Sequence, residues 1–180
     1  MESVTILNFW FEEIESKMHW VKDPEFDQLL RDRFLVAHSA SMKGELEHWR
    51  ETPDGCLAEV ILLDQFSRNM FRDTPEAFAS DELALSIAKS AIERGFHKQI
   101  DKDRRSFLFM PYMHSESAAV HEEAVKIFGD PEWGAGSMDF ELKHKAIIDR
   151  FGRYPHRNEI LGRESTPEEI EFLKGPGSSF

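Results

Sequence analysis

The sequence predicts an all-α protein, an antiparallel array of about eight to ten helices joined by short turns. Three observations support this fold. Apolar side chains recur at helical spacing, no stretch shows a convincing strand alternation, and five Pro-acid pairs divide the chain into helix-sized pieces. We expect one domain over residues 1–180 with a short tail at 175–180, because 180 residues with 41% hydrophobic content suffice for one core.

Each of the five prolines stands in a context typical of a helix start. The preceding Asp or Thr can cap free amides, Pro at the first helical position loses no hydrogen bond, and the following acid faces the positive end of the helix dipole. Thr166 and Glu169 also match a capping box. The five predicted caps are Asp23, Thr52, Thr74, Asp130 and Thr166.

The remaining helices follow from the apolar pattern. Ser80 is expected to cap a helix that ends at Gly95. A later helix from about residue 103 should end at Met110, because the residue before Pro111 is disfavoured in the helical conformation. Residues 115–128 and 138–151 complete the long helices.

The most apolar stretch, residues 57–66, is predicted to be a central helix that is buried on most sides, with Trp10 in the same core. The last turns of this helix become polar. At about 100° per residue, five polar side chains fall within one arc. They are Asp64, Gln65, Arg68, Asn69 and Arg72. Arg68 and Arg72 are spaced i, i+4, which is unfavourable unless an anion lies between them.

Composition excludes several classes of partner. The net charge of −12 argues against broad binding to nucleic acid or to an anionic membrane, since either needs a basic face. No apolar run is long enough to span a membrane, and Glu2 stands where a signal peptide is basic, so we expect a cytoplasmic protein. Cys56 is the only cysteine and is predicted to be a small buried residue.

A second polar group follows the predicted helix 138–151. Gly152 ends that helix and Pro155 prevents its resumption, which leaves a stiff loop. The loop carries Arg153, His156, Arg157 and Asn158. Arginine is suited to forked hydrogen bonding of a carboxylate or phosphate, so the loop favours an anion site. The alternative is that these arginines cap helix ends and pair with acids of the surface.

A third group lies at the helix break after Pro111. Glu116 has a structural explanation at a helix start, whereas His114 has none. Glu45-x-x-His48 and Glu141-x-x-His144 have the spacing found in di-iron bundles, but this spacing is common on charged helices. We therefore predict no metal centre. Gly-rich phosphate loops and Cys-x-x-Cys pairs are absent, and we expect no cofactor.

Over nearly its whole length the chain resembles an uncharacterised, largely bacterial family catalogued as domain of unknown function 924. The resemblance implies an all-α fold similar to tetratricopeptide-repeat arrays, and no activity. Ser67 departs from the usual Pro of the family, and Tyr154 from its usual Phe. The matching motifs are Phe9-Trp10-Phe11, Leu62-Leu63-Asp64-Gln65-Phe66-Ser67-Arg68-Asn69, Pro111-Tyr112-Met113-His114-Ser115-Glu116, His144, Phe151-Gly152-Arg153-Tyr154-Pro155-His156-Arg157-Asn158 and Ser178-Ser179-Phe180.

Two classes of function remain open. In the first, the three polar groups converge on one pocket for a small anionic ligand or substrate, where four arginines surround the anion and Asp64 and Glu116 orient them. In the second, the side chains scatter and the chain is a helical module that binds a peptide or protein. The predicted ligand-binding residues are Asp64, Gln65, Arg68, Asn69, Arg72, His114, Glu116, His144, Arg153, His156, Arg157 and Asn158.

The end of the chain carries a separate hypothesis. Residues 175–180 have the composition of a disordered tail, but the chain ends on Phe180, which combines an apolar ring with a carboxylate. We expect this ending to dock near the loop at Arg153 and Arg157, with the carboxylate accepting from arginine.

Overall fold

The computed structural model describes residues 1–134 and 136–179, and within these ranges it contains helices and turns but no strand. This confirms the all-α prediction. The α-helices are α1 Ser3–Asn8, α2 Pro24–Met42, α3 Pro53–Ile61, α4 Ser67–Met70, α5 Asp81–Glu93, α6 Lys102–Met113, α7 Ala118–Phe128, α8 Met138–Phe151 and α9 Pro167–Leu173. A π-helical turn, Leu62–Phe66, joins α3 to α4 without a break, so these nine segments form eight continuous helices in the described ranges.

Three of the five predicted helix starts carry their caps. The Asp23 carboxylate accepts from the amides of Glu25 and Phe26, and Thr52 accepts from Gly55. Thr166 and Glu169 form the predicted capping box. The other two prolines start shorter structures, namely a 3₁₀ turn at Pro75–Phe78 and a turn in which Asp130 accepts from two amides.

The central helix is confirmed. Every residue from 57 to 66 is buried, and α3 packs against α1, α5 and α6. Trp10 is fully buried in the same core, with its ring centroid 5.3 Å from that of Phe66. Cys56 is also buried, as predicted. The apolar half of the stretch is therefore the core of the molecule, and its polar continuation lies at one end of that core.

The predicted end of α6 at Met110 is wrong, because the helix continues through Pro111 to Met113. Proline removes one backbone donor and usually breaks a helix. Here it stands in the last turn, so little helix remains to be disrupted, and the amide of His114 still donates to the carbonyl of Met110 at 3.0 Å. The extra turn places His114 at the C-cap of α6.

Ser80 does not cap α5 through its side chain. Its hydroxyl donates instead to the carbonyl of Leu63 at 2.6 Å and lies 2.8 Å from the hydroxyl of Ser67. Ser67 in turn lies 2.7 Å from Nε2 of His38, and burial lowers the pKa of this imidazole to about 4. A buried chain of hydroxyls and a neutral histidine therefore ties α2, α4 and the start of α5 together.

The burial of the central helix predicts the effect of a charge placed in it. Replacing the fully buried Leu62 by Asp should leave no folded protein, because an unpaired buried charge costs several kcal/mol against a total stability of about 5–15 kcal/mol. Circular dichroism and thermal melting measure the outcome.

The control is Val36→Asp, since Val36 is 84% exposed on α2 and should accept the same change with a shift of about 0.5 kcal/mol or less. Equal helicity and melting of Leu62→Asp and the wild type would contradict the assignment of the core.

Candidate functional site

The centre of the polar cluster is the carboxylate of Asp64, which lies in the π-helical turn and has no solvent exposure. It accepts from Nε2 of Gln65 at 2.6 Å and from Nδ1 of His114 at 2.7 Å, and Nη1 of Arg68 lies 3.1 Å away. Burial alone would raise the pKa of Asp64, but Arg68 and His114 outweigh it and hold this pKa below its ordinary value. Asp64 is therefore ionised at neutral pH.

A second carboxylate, Asp81 in the first turn of α5, links two arginines. Arg68 donates to it through both terminal nitrogens at 2.9 and 3.1 Å, and Arg157 donates to it at 3.2 Å. Both guanidinium groups lie over the ring of Phe78, at 5.8 and 4.5 Å from its centroid. Asp81 was not among the predicted site residues.

Arg157 joins the loop at 155–157 to the end of α6. Its Nη2 donates to the carbonyl of His114 at 3.0 Å. Its Nε is buried and has no acceptor among residues 1–134 and 136–179. Burial lowers the pKa of Arg157, and the neighbouring charge of Arg68 lowers it further. The positive charge of Arg157 is therefore less well compensated than that of Arg68.

Three imidazoles and one phenol lie around Arg68 and Arg157. The ring of His144 lies 6.3 Å from that of His114 and 5.9 Å from that of Tyr154, and the ring of His156 lies 5.6 Å from that of Tyr154. Burial lowers the pKa of His144 to about 3 and that of His156 to about 4. The pKa of His114 is also lowered, first by burial and then by Arg68. All three imidazoles are therefore neutral at pH 7.

The other predicted site residues belong to separate networks. Asn69 and Arg72 donate to Asp27 on α2, at 2.8 Å from Asn69 and at 2.6 and 2.8 Å from Arg72. Arg153 holds Glu169 with two bonds of 2.7 and 2.8 Å. The expectation that four arginines share one anion is therefore not met for Arg72 and Arg153. Each is neutralised by a carboxylate that is distant in sequence, which spacing along the chain does not reveal.

Glu116 and Asn158 are placed with these outer networks. Glu116 pairs with Arg163 through bonds of 2.7 and 2.9 Å, and it also accepts from the backbone amide of Tyr154 at 2.7 Å. Asn158 donates to Ser165 at 3.0 Å. Glu116 thus anchors the loop and does not hydrogen-bond to Arg157. Among the described residues, the three sequence groups converge only through Asp64, Arg68, His114, Arg157 and the flanking histidines.

The family profile of bacterial proteins of unknown function, DUF924, matches residues 6–177. The chain belongs to the DUF924 family. It is similar to a solved structure of a protein of unknown function from Agrobacterium tumefaciens, with 39% sequence identity and a TM-score of 0.89 over 96% of this chain and 97% of that chain. No curated protein matches the sequence. The predicted family and its helical fold are thus confirmed, and neither comparison assigns an activity.

Sequence reasoning missed a buried pair of polar residues behind this cluster. Nδ1 of His121 lies 2.7 Å from Glu141, and its Nε2 donates to the carbonyl of Ser115 at 2.9 Å. The hydroxyl of Tyr154 donates to the carbonyl of Met113 at 2.6 Å and lies 3.2 Å from the same Nε2. The sequence could have indicated this pair, because His121 and Glu141 stand at core positions of their helices, where a polar side chain needs a partner.

Three further features concern the described residues of this DUF924 chain. They contain no group of three side chains suited to a metal ion, and no helix long and apolar enough to cross a membrane. Near the end of the chain, the hydroxyl of Ser178 donates to the carbonyl of Leu173 at 3.2 Å. Phe180, on which the tail hypothesis depends, lies outside the described residues.

The pairing of Arg153 with Glu169 predicts a pH dependence of stability. The hydrogen bond from Arg153 outweighs burial and lowers the pKa of Glu169 from 4.5 to about 2. A carboxyl group whose folded-state pKa is depressed stabilises the fold above its unfolded pKa. Its contribution should therefore be full above about pH 4.5 and should disappear as the pH falls to about 2.

Chemical denaturation of Glu169→Gln across this range measures the effect. The variant should be less stable than the wild type at pH 7, and the difference should shrink as the pH falls. The control is Glu168→Gln, whose side chain is 64% exposed and pairs with Arg150 at the surface. If both variants lose the same stability at every pH, the Arg153 pair is an ordinary surface contact.

Proposed function

We propose that the DUF924 chain binds a small anionic molecule at the cluster of Arg68, His114 and Arg157, and that His114 takes up a proton from solvent as the anion binds. The observation that carries this proposal is the state of Arg157. Its side chain is 7% exposed, it shares Asp81 with Arg68, and its Nε has no acceptor in the described chain. A carboxylate or phosphate would add a second anionic partner for the Arg157 guanidinium.

The charges around Arg157 favour an anion at this place. The charges of the two arginines equal those of the two carboxylates, Asp64 and Asp81. Asp64, however, also accepts hydrogen bonds from His114 and Gln65. Arg68 contacts both carboxylates, whereas Arg157 reaches only Asp81. An anion is therefore attracted to a guanidinium group whose positive charge is only partly compensated. Arg72 and Arg153 attract an anion less strongly, since each already binds a carboxylate with two hydrogen bonds.

The arrangement of His114 suits proton transfer. An ionised carboxylate only accepts, so Asp64 fixes the proton of His114 on Nδ1 and leaves the lone pair on Nε2. Nε2 makes no hydrogen bond to residues 1–134 or 136–179, and 16% of the side chain remains exposed. A neutral imidazole held in one tautomer by a carboxylate is a suitable general base. The site thus combines an anion-binding group with a proton acceptor.

A thermal-shift series tests anion binding. Inorganic phosphate, sugar phosphates and dicarboxylates should raise the melting temperature of the wild type at constant ionic strength, because a ligand at about 100 times its Kd adds about 2.7 kcal/mol of stability. Arg157→Met should remain folded and lose this shift, since truncating one partner of a buried charged contact costs about 2–5 kcal/mol of affinity.

The control for this series is Arg150→Met, because Arg150 is 52% exposed on α8 and pairs with Glu168 away from the cluster. It should keep the full thermal shift. Arg157→Lys retains the positive charge, and it replaces Arg157→Met as the test variant if Arg157→Met does not fold. The proposal is refuted if none of these anions stabilises the wild type, or if both Arg157 variants respond as the wild type does.

The role of His114 is tested by proton uptake. Its pKa lies below 6.5 in the unliganded protein, and a bound anion should raise this pKa by favouring the imidazolium. The affinity for the anion should therefore increase as the pH falls from the pKa of the complex towards the lowered pKa of the unliganded protein. Calorimetry in two buffers with different ionisation enthalpies measures the protons taken up.

His114→Gln should bind without uptake from this group, and the control His48→Gln changes a histidine that has no hydrogen bond to the site. Identical heats in the two buffers for the wild type would leave anion binding intact and remove the proton-transfer role of His114.

A further inference from the structure

A groove lined mainly by aromatic rings lies between the N-terminal segment and α6, and the anion site does not use it. Its volume is about 310 Å³, at the lower end of the range for small-molecule sites. Its lining residues include the aromatic Trp10, Phe11, His19, Trp20 and Phe107, and Asp103 is the acidic residue among them. No Lys or Arg of the described chain is among the lining residues.

The exposure of Trp20 sets this groove apart from the core. The side chain is 65% exposed, although its ring lies parallel to that of Phe107 with centroids 6.0 Å apart. On the inner side, His19 stacks on Trp10 at 4.2 Å and donates from Nε2 to the carbonyl of Trp10 at 2.8 Å. The inner rings are thus fixed by packing, while the indole of Trp20 still has apolar surface to cover.

The electrostatics of the groove favour a cation. The faces of aromatic rings carry partial negative charge, and Trp has the strongest attraction for a cation. His19 does not oppose this, because burial lowers its pKa and keeps the imidazole neutral at pH 7. Arg104 approaches the Phe11 ring at 4.7 Å, but its charge is paired with Glu12 at 2.6 Å. Asp103 and the chain charge of −12 attract a positive ligand.

We propose that this groove is a second binding site, for an organic ammonium ion held against the exposed ring of Trp20 with Asp103 as its counter-ion. Ring faces and one carboxylate at the edge of a small pocket are the chemistry that recognises substituted ammonium groups. The site differs from the anion cluster in the sign of its ligand. The proposal therefore does not depend on the function proposed for Arg157 and His114.

The test uses choline as the probe and its uncharged carbon analogue, in which a tert-butyl group replaces the trimethylammonium group. Ligand-observed NMR titration of the full chain should give saturable choline binding, with contact between the ligand methyl protons and aromatic protons. The analogue has the same shape without the charge and should bind about tenfold more weakly. Trp20→Ala should weaken choline binding by a similar factor, and Trp20→Phe should recover part of it.

Asp103→Asn should weaken choline binding severalfold without changing that of the analogue. The control is Asp139→Asn, because Asp139 is likewise an exposed acid in the first turn of a helix. No saturable signal with the wild type up to about 10 mM choline would overturn the proposal. So would equal binding of choline and the analogue, which would make the groove a site for apolar molecules. Unchanged affinity in both Trp20→Ala and Asp103→Asn would place binding elsewhere.

Discussion

The buried charge of Asp64 is the constraint on which the polar end of this structure depends. A carboxylate without solvent exposure costs several kcal/mol unless donors surround it. Its donors are its neighbour Gln65, Arg68 one turn later, and His114 from the end of α6. The packing of α3 against α6 and the electrostatics of the site therefore depend on each other. Moving α6 would leave the charge of Asp64 poorly compensated.

From Asp64 the charges alternate outward. Arg68 lies between Asp64 and Asp81, and Asp81 lies between Arg68 and Arg157. This alternation brings two guanidinium groups together over Phe78 without leaving their repulsion uncompensated. The series ends at Arg157, where no further carboxylate hydrogen-bonds to the guanidinium within the described residues. The anion that we propose would therefore bind at the end of this charge series.

The outer ion pairs hold the loop after α8 in place. Arg153 with Glu169, and Arg163 with Glu116, connect the loop after α8 to α9 and to the turn before α7. These bidentate pairs fix the backbone that carries His156 and Arg157. A chain with a net charge of −12 has many acids available for such pairs. A local excess of arginine in the sequence therefore does not by itself imply a positive surface in the folded protein.

Sequence alone determined the features that depend on local chemistry. Helical periodicity, the capping residues before Pro24, Pro53 and Pro167, and the apolar stretch at 57–66 act within a few residues, so pattern was sufficient to predict them. Sequence also marked Asp64, Arg68, His114 and Arg157 as candidates, because they stand where helix packing alone does not require them, and their role in binding stays a prediction.

Only the tertiary structure decided how these residues are paired. Asp27 and Glu169 pair with two of the four arginines, and Asp81 pairs with the other two. These contacts join residues up to 76 positions apart. The continuation of α6 past Pro111 was likewise decided by tertiary context, since the burial of Tyr112 and Met113 in the core offsets the weak propensity of that turn. Salt-bridge choice depends on which helices become neighbours, and that information is not present in spacing along the chain.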